Sequence, residues 1–327
     1  MFLNTSSIFS LKDDSEFVSK ALEIFHYQYH GCQVYQEFCD YLNVQPKFVT
    51  SLEKIPFLPI EFFKSKSVVV GSLKPQTIFT SSGTTDQKVS QHLISDMSLY
   101  EKSFFKAFEL FYGSIRDYCI LALLPAYLER KGSSLVYMVD TLIKKTHNPK
   151  SGFYLHNLDD LKHQLTELES VNKKTLLIGV SFALLDLAKT LDFSLKHTIV
   201  METGGMKGRR KEMIRSELHH LLKKAFGLDR IHSEYGMTEL LSQAYSKGCG
   251  IFRCPPWMRI SIRDTEDPFS FQKNEKTGGI NVIDLANVHS CSFIATQGLG
   301  KVYSDGSFEV LGRFDYADIR GCNLMVI

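Results

Sequence analysis

The chain has 327 residues, of which 23% are charged and 44% apolar, the make-up of an ordinary globular protein with room for one large core or two smaller ones. A net charge of +2 leaves no electrostatic case for nucleic acid or a membrane surface as partner, and no apolar run reaches the length of a spanning helix. Seven scattered cysteines, an odd number, argue for reduced thiols rather than a disulfide framework. Residues 1–20 lack the basic start and apolar stretch of a signal peptide, so the cytoplasm is the expected compartment.

Residues 14–44 carry Phe17, Ala21, Ile24, Phe25, Tyr35 and Phe38 at helical spacing and predict one helix. Pro46, Pro56 and Pro59 follow, so residues 55–60 are expected to be extended. Residues 76–80 read as a strand. It runs into Ser81-Ser82-Gly83-Thr84-Thr85-Asp86-Gln87-Lys88. Gly83 can take a positive φ, exposed amides in such a turn form an anion-binding concavity, and Lys88 adds charge. The same loop also reads as a polar turn that binds nothing, and the Gly-x4-Gly-Lys-Ser/Thr spacing of a P-loop is absent.

Residues 96–112 predict a helix whose stripe Leu99, Phe104, Phe105, Phe108 and Phe111 is core before it is an acyl pocket. The apolar run 118–124, ending at Pro125, predicts a buried strand, and a helix over 135–143 follows Gly132. A helix over 155–168, a strand over 175–180 and a helix over 182–191 come next. A strand over 198–201 and a helix over 211–225 complete the series. Apolar strands alternating with helices make a mostly parallel sheet covered on both faces, so the class is α/β. After Gly250 the texture changes: residues 258–263 and 308–310 alternate, and Gly278-Gly279 and Ser304-Asp305-Gly306 read as turns between short strands. The expected organisation is a single domain, an α/β body over about 1–250 with a β-rich portion over 251–327.

Three further segments bear on the hydroxyl-rich loop. They are Glu202-Thr203-Gly204-Gly205-Met206-Lys207, placed where a strand meets a helix, then Ile231-His232-Ser233-Glu234-Tyr235-Gly236-Met237-Thr238-Glu239, then Leu311-Gly312-Arg313-Phe314-Asp315. Ligands of open α/β sheets sit at such strand ends. In this order the segments resemble those of the adenylate-forming superfamily of acyl-CoA synthetases and luciferases. Within it the chain is most similar to the LuxE-type acyl-protein synthetases. The likeness is carried by Ile55-Pro56-Phe57-Leu58-Pro59-Ile60, Leu124-Pro125-Ala126-Tyr127-Leu128-Glu129-Arg130, Lys131-Gly132-Ser133-Ser134-Leu135 and Ile319-Arg320-Gly321-Cys322, and spans about residues 50–322.

The resemblance implies ATP and Mg²⁺ as cofactors and a fatty or other carboxylic acid as substrate. Ser81, Ser82, Gly83, Thr84, Thr85 and Lys88 would hold the phosphates. Gly204 and Gly205 would lie beside the adenine, and Tyr235 would stack on it, with Gly236 and Met237 in the same segment. Thr238 would contact the α-phosphate and Glu239 would hold Mg²⁺, the hard cation a carboxylate suits. Arg313 and Asp315 would complete the nucleotide site. Such residues suit a reaction in which charge builds on phosphate oxygens. The acyl group would then pass to Cys322, beside Arg320, and on to an acyl-CoA-reductase-like partner protein; neither nucleic acid nor integral membrane contact is implied. Direct transfer to CoA or a carrier-protein thiol is the alternative within enzymes, and a binding module that has lost the chemistry is the alternative outside them.

The chain departs from the superfamily pattern in three places. Asp86 stands where a glycine is usual, Gly298 stands where a ribose-binding aspartate is usual, with Gln297 before it, and the small lysine-bearing domain is expected to be absent. Cys249, Cys254, His289 and Cys291 match no common zinc spacing. His92 and His232 read as structural.

Overall fold

The computed structural model of the protein describes residues 3–81, 88–124, 132–154, 157–204 and 213–314. Helix α1 (Asp14–Gly31) starts where Asp13 accepts a hydrogen bond from the Glu16 amide, a side-chain cap reinforced by first-turn acids. It buries Phe17, Ala21, Ile24, Phe25 and Gln28. The single helix expected over 14–44 is two: α2 (Gln33–Tyr41) begins after Cys32, which is extended at φ −102° and ψ 101°. The crossing segment 68–71 explains the break. A methyl group on Gly31 would lie 2.6 Å from Val70 Cγ1, and the Gly71 amide donates to the Gly31 carbonyl at 2.7 Å, taking up an orphan acceptor of the helix end.

The short strand β1 (Leu58–Pro59) and helix α3 (Phe62–Ser65) lead to a hairpin of β2 (Thr77–Thr80) and β3 (Gln91–Ile94), with Thr80 opposite Gln91. Helix α4 (Met97–Tyr112) packs behind it. Phe104 and Phe108 of its stripe are fully buried, while Phe105 and Phe111 are half-buried. Then β4 (Cys119–Leu123), α5 (Ser134–Thr146), β5 (Gly152–Phe153), α6 (Leu158–Ser170), β6 (Thr175–Val180), α7 (Ser181–Ala188), β7 (Thr198–Thr203), α8 (Arg215–Phe226) and β8 (His232–Tyr235) alternate in the expected order. Every residue of β4 and β6 is buried, as strands covered on both faces must be. The remaining strands are β9 (Ala244–Ser246), β10 (Ile251–Arg253), β11 (Met258–Arg263), β12 (Gly278–Asp284), β13 (Phe293–Val302) and β14 (Phe308–Arg313).

Among the described residues, twelve strands form one mixed sheet in the order β11-β12-β13-β14-β10-β9-β8-β7-β6-β4-β5, with β1 parallel to β13. The half from β5 to β8 is parallel and the half from β8 to β11 antiparallel. The class is α/β. The chain runs from β4 to β5 on one side and returns to β6 on the other, so the topology switches beside the carboxyl end of β4, where open sheets bind ligands.

Gly278-Gly279 is not a turn but the start of β12, paired with Gly300 and Leu299. Methyl groups there would lie 2.2 Å from the Arg263 carbonyl and 2.5 Å from Arg263 Cζ. The glycines make room for Arg263, whose guanidinium donates to the Ile280 and Thr296 carbonyls. No helix among the described residues is long and apolar enough to cross a membrane.

Candidate active site

The parallel strands β6, β7 and β8 end side by side, Val180 in register with Thr203 and Thr203 with Glu234. Gly204, just past β7, turns away at φ +71°, a conformation open to glycine and disfavoured for other residues, and its carbonyl accepts from the Ser181 hydroxyl at 3.0 Å. One strand over, Tyr235 closes β8 with its ring edge against Phe308 and Phe252, centroids 5.3 and 5.9 Å apart. After exposed Gly236 the chain makes a tight turn, the Leu240 amide donating to the Met237 carbonyl at 3.1 Å. Thr238 and Glu239 sit at its corners, Glu239 only 5% exposed; Glu239 does not open a helix.

Buried polar side chains from distant segments fix this turn. His92 of β3 donates from Nδ1 to the Thr238 carbonyl at 2.9 Å, and its Nε2 accepts from the Ser290 hydroxyl at 2.9 Å. A carbonyl can only accept, which sets the tautomer. Asn287 Nδ2 donates to the Glu239 carbonyl at 2.7 Å. Asp284, fully buried, accepts from the Leu241 and Ser242 amides at 2.8 and 2.9 Å, the Ser242 hydroxyl at 2.6 Å and the Ala286 amide at 3.1 Å.

His92 also joins this turn to the hydroxyl-rich loop, because β2 and β3 are the limbs from which that loop springs. At its base the Ser81 amide donates to the Ser90 carbonyl at 3.1 Å, and the Ser90 amide to Ser81 Oγ at 2.9 Å. Lys88 is exposed on the returning limb. Beyond Tyr235, Arg313 pairs with Gly298 across β13 and β14, so the glycine-arginine segment and the position lacking the usual aspartate are neighbours. Gln297 donates its side-chain amide to Glu61.

Burial shapes the charges. It pushes Glu234 up to about 7, opposed by the Thr203 hydroxyl and helped by the Glu202 carboxylate. Burial pushes Glu202 the same way, but the hydrogen bond to His219 and the Arg215 guanidinium at 3.1 Å hold it below the usual carboxylate range. Burial takes His92 down to about 4, so this imidazole is neutral across the physiological range.

The structure thus draws Ser81, Gly204, Tyr235, Gly236, Met237, Thr238 and Glu239 into one neighbourhood, with Arg313 one strand pair away and Lys88 exposed near the loop. Ser82, Gly83, Thr84, Thr85, Asp86, Tyr127, Gly205, Asp315 and Cys322 lie outside the described residues. His92, Asp284, Asn287 and Ser290 were not read as site residues from the sequence. A charged residue closing the apolar run 278–284 was the available signal for Asp284. The pairing of His92 with Thr238, 146 positions apart, left no trace in spacing. Replacing His92 with Phe should leave the Thr238 carbonyl and Ser290 hydroxyl without this partner and lower stability by about 1–3 kcal/mol. Urea unfolding at pH 7 measures it, and equal midpoints and slopes would remove His92 from this account.

ATP-bound MatB from Rhodopseudomonas palustris superposes with a TM-score of 0.56 at 18% identity, covering 74% of this chain and 49% of that one. A 2-hydroxyisobutyryl-CoA ligase in complex with 2-HIB-AMP and CoA gives 0.65 at 10% identity, covering 93% and 70%. The luciferase-like enzyme of the nonluminescent Zophobas morio mealworm gives 0.51 at 14%, covering 76% and 60%. At such identities the likeness is one of fold, and the chain spans about half the length of the MatB structures it matches. No curated protein matches it. The sequence model of the acyl-protein synthetase family LuxE matches residues 5–327, and on a match of that extent the chain belongs to the LuxE family of acyl-protein synthetases.

Proposed function

We propose that the protein joins a carboxylic acid, of the fatty class its family implies, to AMP from ATP and then transfers the acyl group to a thiol. One observation supports this reading above the others. The hairpin bearing the hydroxyl-rich loop is hydrogen-bonded through His92 to the turn bearing Thr238 and Glu239, so two segments suited to phosphate and metal are held together. Gly204 and Tyr235, at the ends of adjacent strands, border the same place.

In this reading a carboxylate oxygen of the acid attacks the α-phosphorus of ATP, and pyrophosphate leaves. The hydroxyls and amides of residues 81–85 and the Thr238 side chain stabilise the charge that grows on the phosphate oxygens. Glu239 would hold Mg²⁺. Mg²⁺ takes one or two carboxylates and completes its shell with water and substrate phosphates, so a single glutamate at this turn suits it. The metal would supply neutralisation of phosphate charge. The Cys322 thiolate then attacks the acyl carbonyl, the bond from acyl carbon to phosphate oxygen breaks, and AMP departs. A partner protein of the acyl-CoA-reductase kind would receive the acyl group from Cys322.

Intact-protein mass spectrometry after incubation with ATP, Mg²⁺ and a panel of acids, run beside a pyrophosphate assay, tests both steps. The expected result is pyrophosphate release with at least one acid and a mass gain of one acyl group, lost in Cys322→Ser while pyrophosphate release persists. Full turnover of Cys322→Ser with an external thiol would move the acceptor role from Cys322 to CoA or a carrier. Nucleotide binding without pyrophosphate from any acid would leave a binding module.

A further inference from the structure

Beside the His92 bridge lies a cavity that the reading above does not use. His92, Ser95 and Asp96 line it from β3 and the residues just after, and Asn287, His289 and Ser290 line it from the segment between β12 and β13. Three of these residues bury a polar atom to which nothing among the described residues hydrogen-bonds: Ser95 Oγ, Asn287 Oδ1 and His289 Nδ1. The described residues hold six such side-chain atoms, so half of them belong to the walls of one small space. Asn287 is fully buried, while Ser95, Asp96 and His289 are half-buried, which gives a small occupant a way in from solvent.

The Asn287 amide shows what the space calls for. Its Nδ2 donates to the Glu239 and Cys291 carbonyls at 2.7 and 3.1 Å, which assigns the two ends of the planar group and turns Oδ1 away from both carbonyls. An amide oxygen can only accept, and burying it without a donor is costly. The Ser95 hydroxyl can donate or accept. So can the ring of His289, which burial holds below the usual histidine range, against the pull of Asp96, and which is therefore neutral at pH 7. The space open to the centre of a water-sized sphere is about 10 Å³, close to what a single water needs.

We propose that this cavity is a binding site for one water-sized hydrogen-bond donor, a water molecule or an ammonium ion, bonded to Asn287 Oδ1, Ser95 Oγ and His289 Nδ1. About three partners is the usual complement of a buried water. The walls of the cavity belong to the same two segments that His92 and Ser290 already join, so the occupant makes a second bridge between the hairpin and the loop behind the turn. Through Asn287 it also fixes the amide that holds the Glu239 carbonyl, and with it the turn of Thr238 and Glu239. The site stands or falls apart from the adenylation reading, because its tests measure structure and not turnover.

A high-resolution crystal structure of the wild type is the first test. The expected result is density for one occupant within hydrogen-bonding distance of Asn287 Oδ1 and of at least one of Ser95 Oγ and His289 Nδ1. A cavity without density, or one closed by these side chains bonding to each other, overturns the site. Ser95→Val, which fills the space, should lose the density; Ser95→Ala, which keeps the space and two of the three partners, should retain it. Hydrogen exchange reads the bridging role. The Leu240 amide, bonded to the Met237 carbonyl, should exchange about 3- to 10-fold faster in Ser95→Val, with the change confined to residues 237–242. Exchange there equal to wild type, or faster by the same factor throughout the chain, overturns that role. Should Ser95→Val fail to fold, the wild-type density and the exchange of Ser95→Ala, expected to lie close to wild type, still decide. Melting midpoints in ammonium chloride and sodium chloride tell the two occupants apart: a saturable rise with ammonium alone identifies the ion, matching curves identify water, and either upholds a site that the density has shown.

Discussion

Asp284→Ala is expected to lower the unfolding free energy by about 3–5 kcal/mol, the largest stability effect of any single change proposed for this chain. The carboxylate accepts from three backbone amides and the Ser242 hydroxyl, and alanine returns none of those bonds. The amides of Leu241 and Ser242 follow directly on the turn of Thr238 and Glu239, so the loss should loosen that turn as well. Urea unfolding with hydrogen exchange on residues 237–242 measures both effects. A change below about 1 kcal/mol, or unchanged protection of that turn, would show that other contacts hold it. A pH signature accompanies the change. Burial pushes Asp284 up to about 6, with the Ser242 hydroxyl and the amides opposing. Between about pH 4 and 6 the native state therefore keeps a proton that the unfolded chain has released, and this contribution to stability falls as pH rises. Removing the group removes that slope, so the gap between wild type and variant should be wider at pH 4 than at pH 7. In the wild type itself the slope is masked. Burial lowers His92 and His232 to about 4, and histidines that shed protons on folding make stability rise with pH over much the same window.

Glu239→Gln should reduce adenylation by about 10²–10³-fold, equivalent to about 3–4 kcal/mol of transition-state stabilisation. Glutamine keeps the shape and the backbone carbonyl bonded by Asn287, so the fold should survive; what goes is the charge that would hold the metal. The measurement is pyrophosphate exchange across a Mg²⁺ titration, with the variant expected to need more Mg²⁺ as well as to run slower. Wild-type rates at every Mg²⁺ concentration would take the metal away from Glu239 without touching the rest of the proposal.

Local chemistry made the parallel half of the sheet legible in the sequence. Residues 118–124 and 175–180 are apolar throughout because both their faces are covered, and a run of that kind needs no long-range information to be read. The ordered segments at 81–88, 202–207, 231–239 and 311–315 carried the family resemblance for a similar reason: each is short and contiguous, so its residue types can be read without long-range information. Local patterns also misled where a distant segment decided the outcome. The helix over 14–44 breaks at Cys32 because the chain at Val70 and Gly71 crosses it. Gly278-Gly279 looked like a turn because nothing in its neighbourhood announces Arg263.

The sequence by itself determined the α/β class and a likeness to the LuxE-type acyl-protein synthetases, with candidate phosphate, adenine and metal residues in a definite order. Only the tertiary structure decided what holds those residues in place and what lies beside them. The His92 bridge, the Asp284 cap, the Asn287 bond and the cavity lined by Ser95 and Asn287 all join positions far apart in the chain. Such pairings depend on strand register and on hydrogen bonds made after burial, and neither has a period or a spacing that a sequence can display.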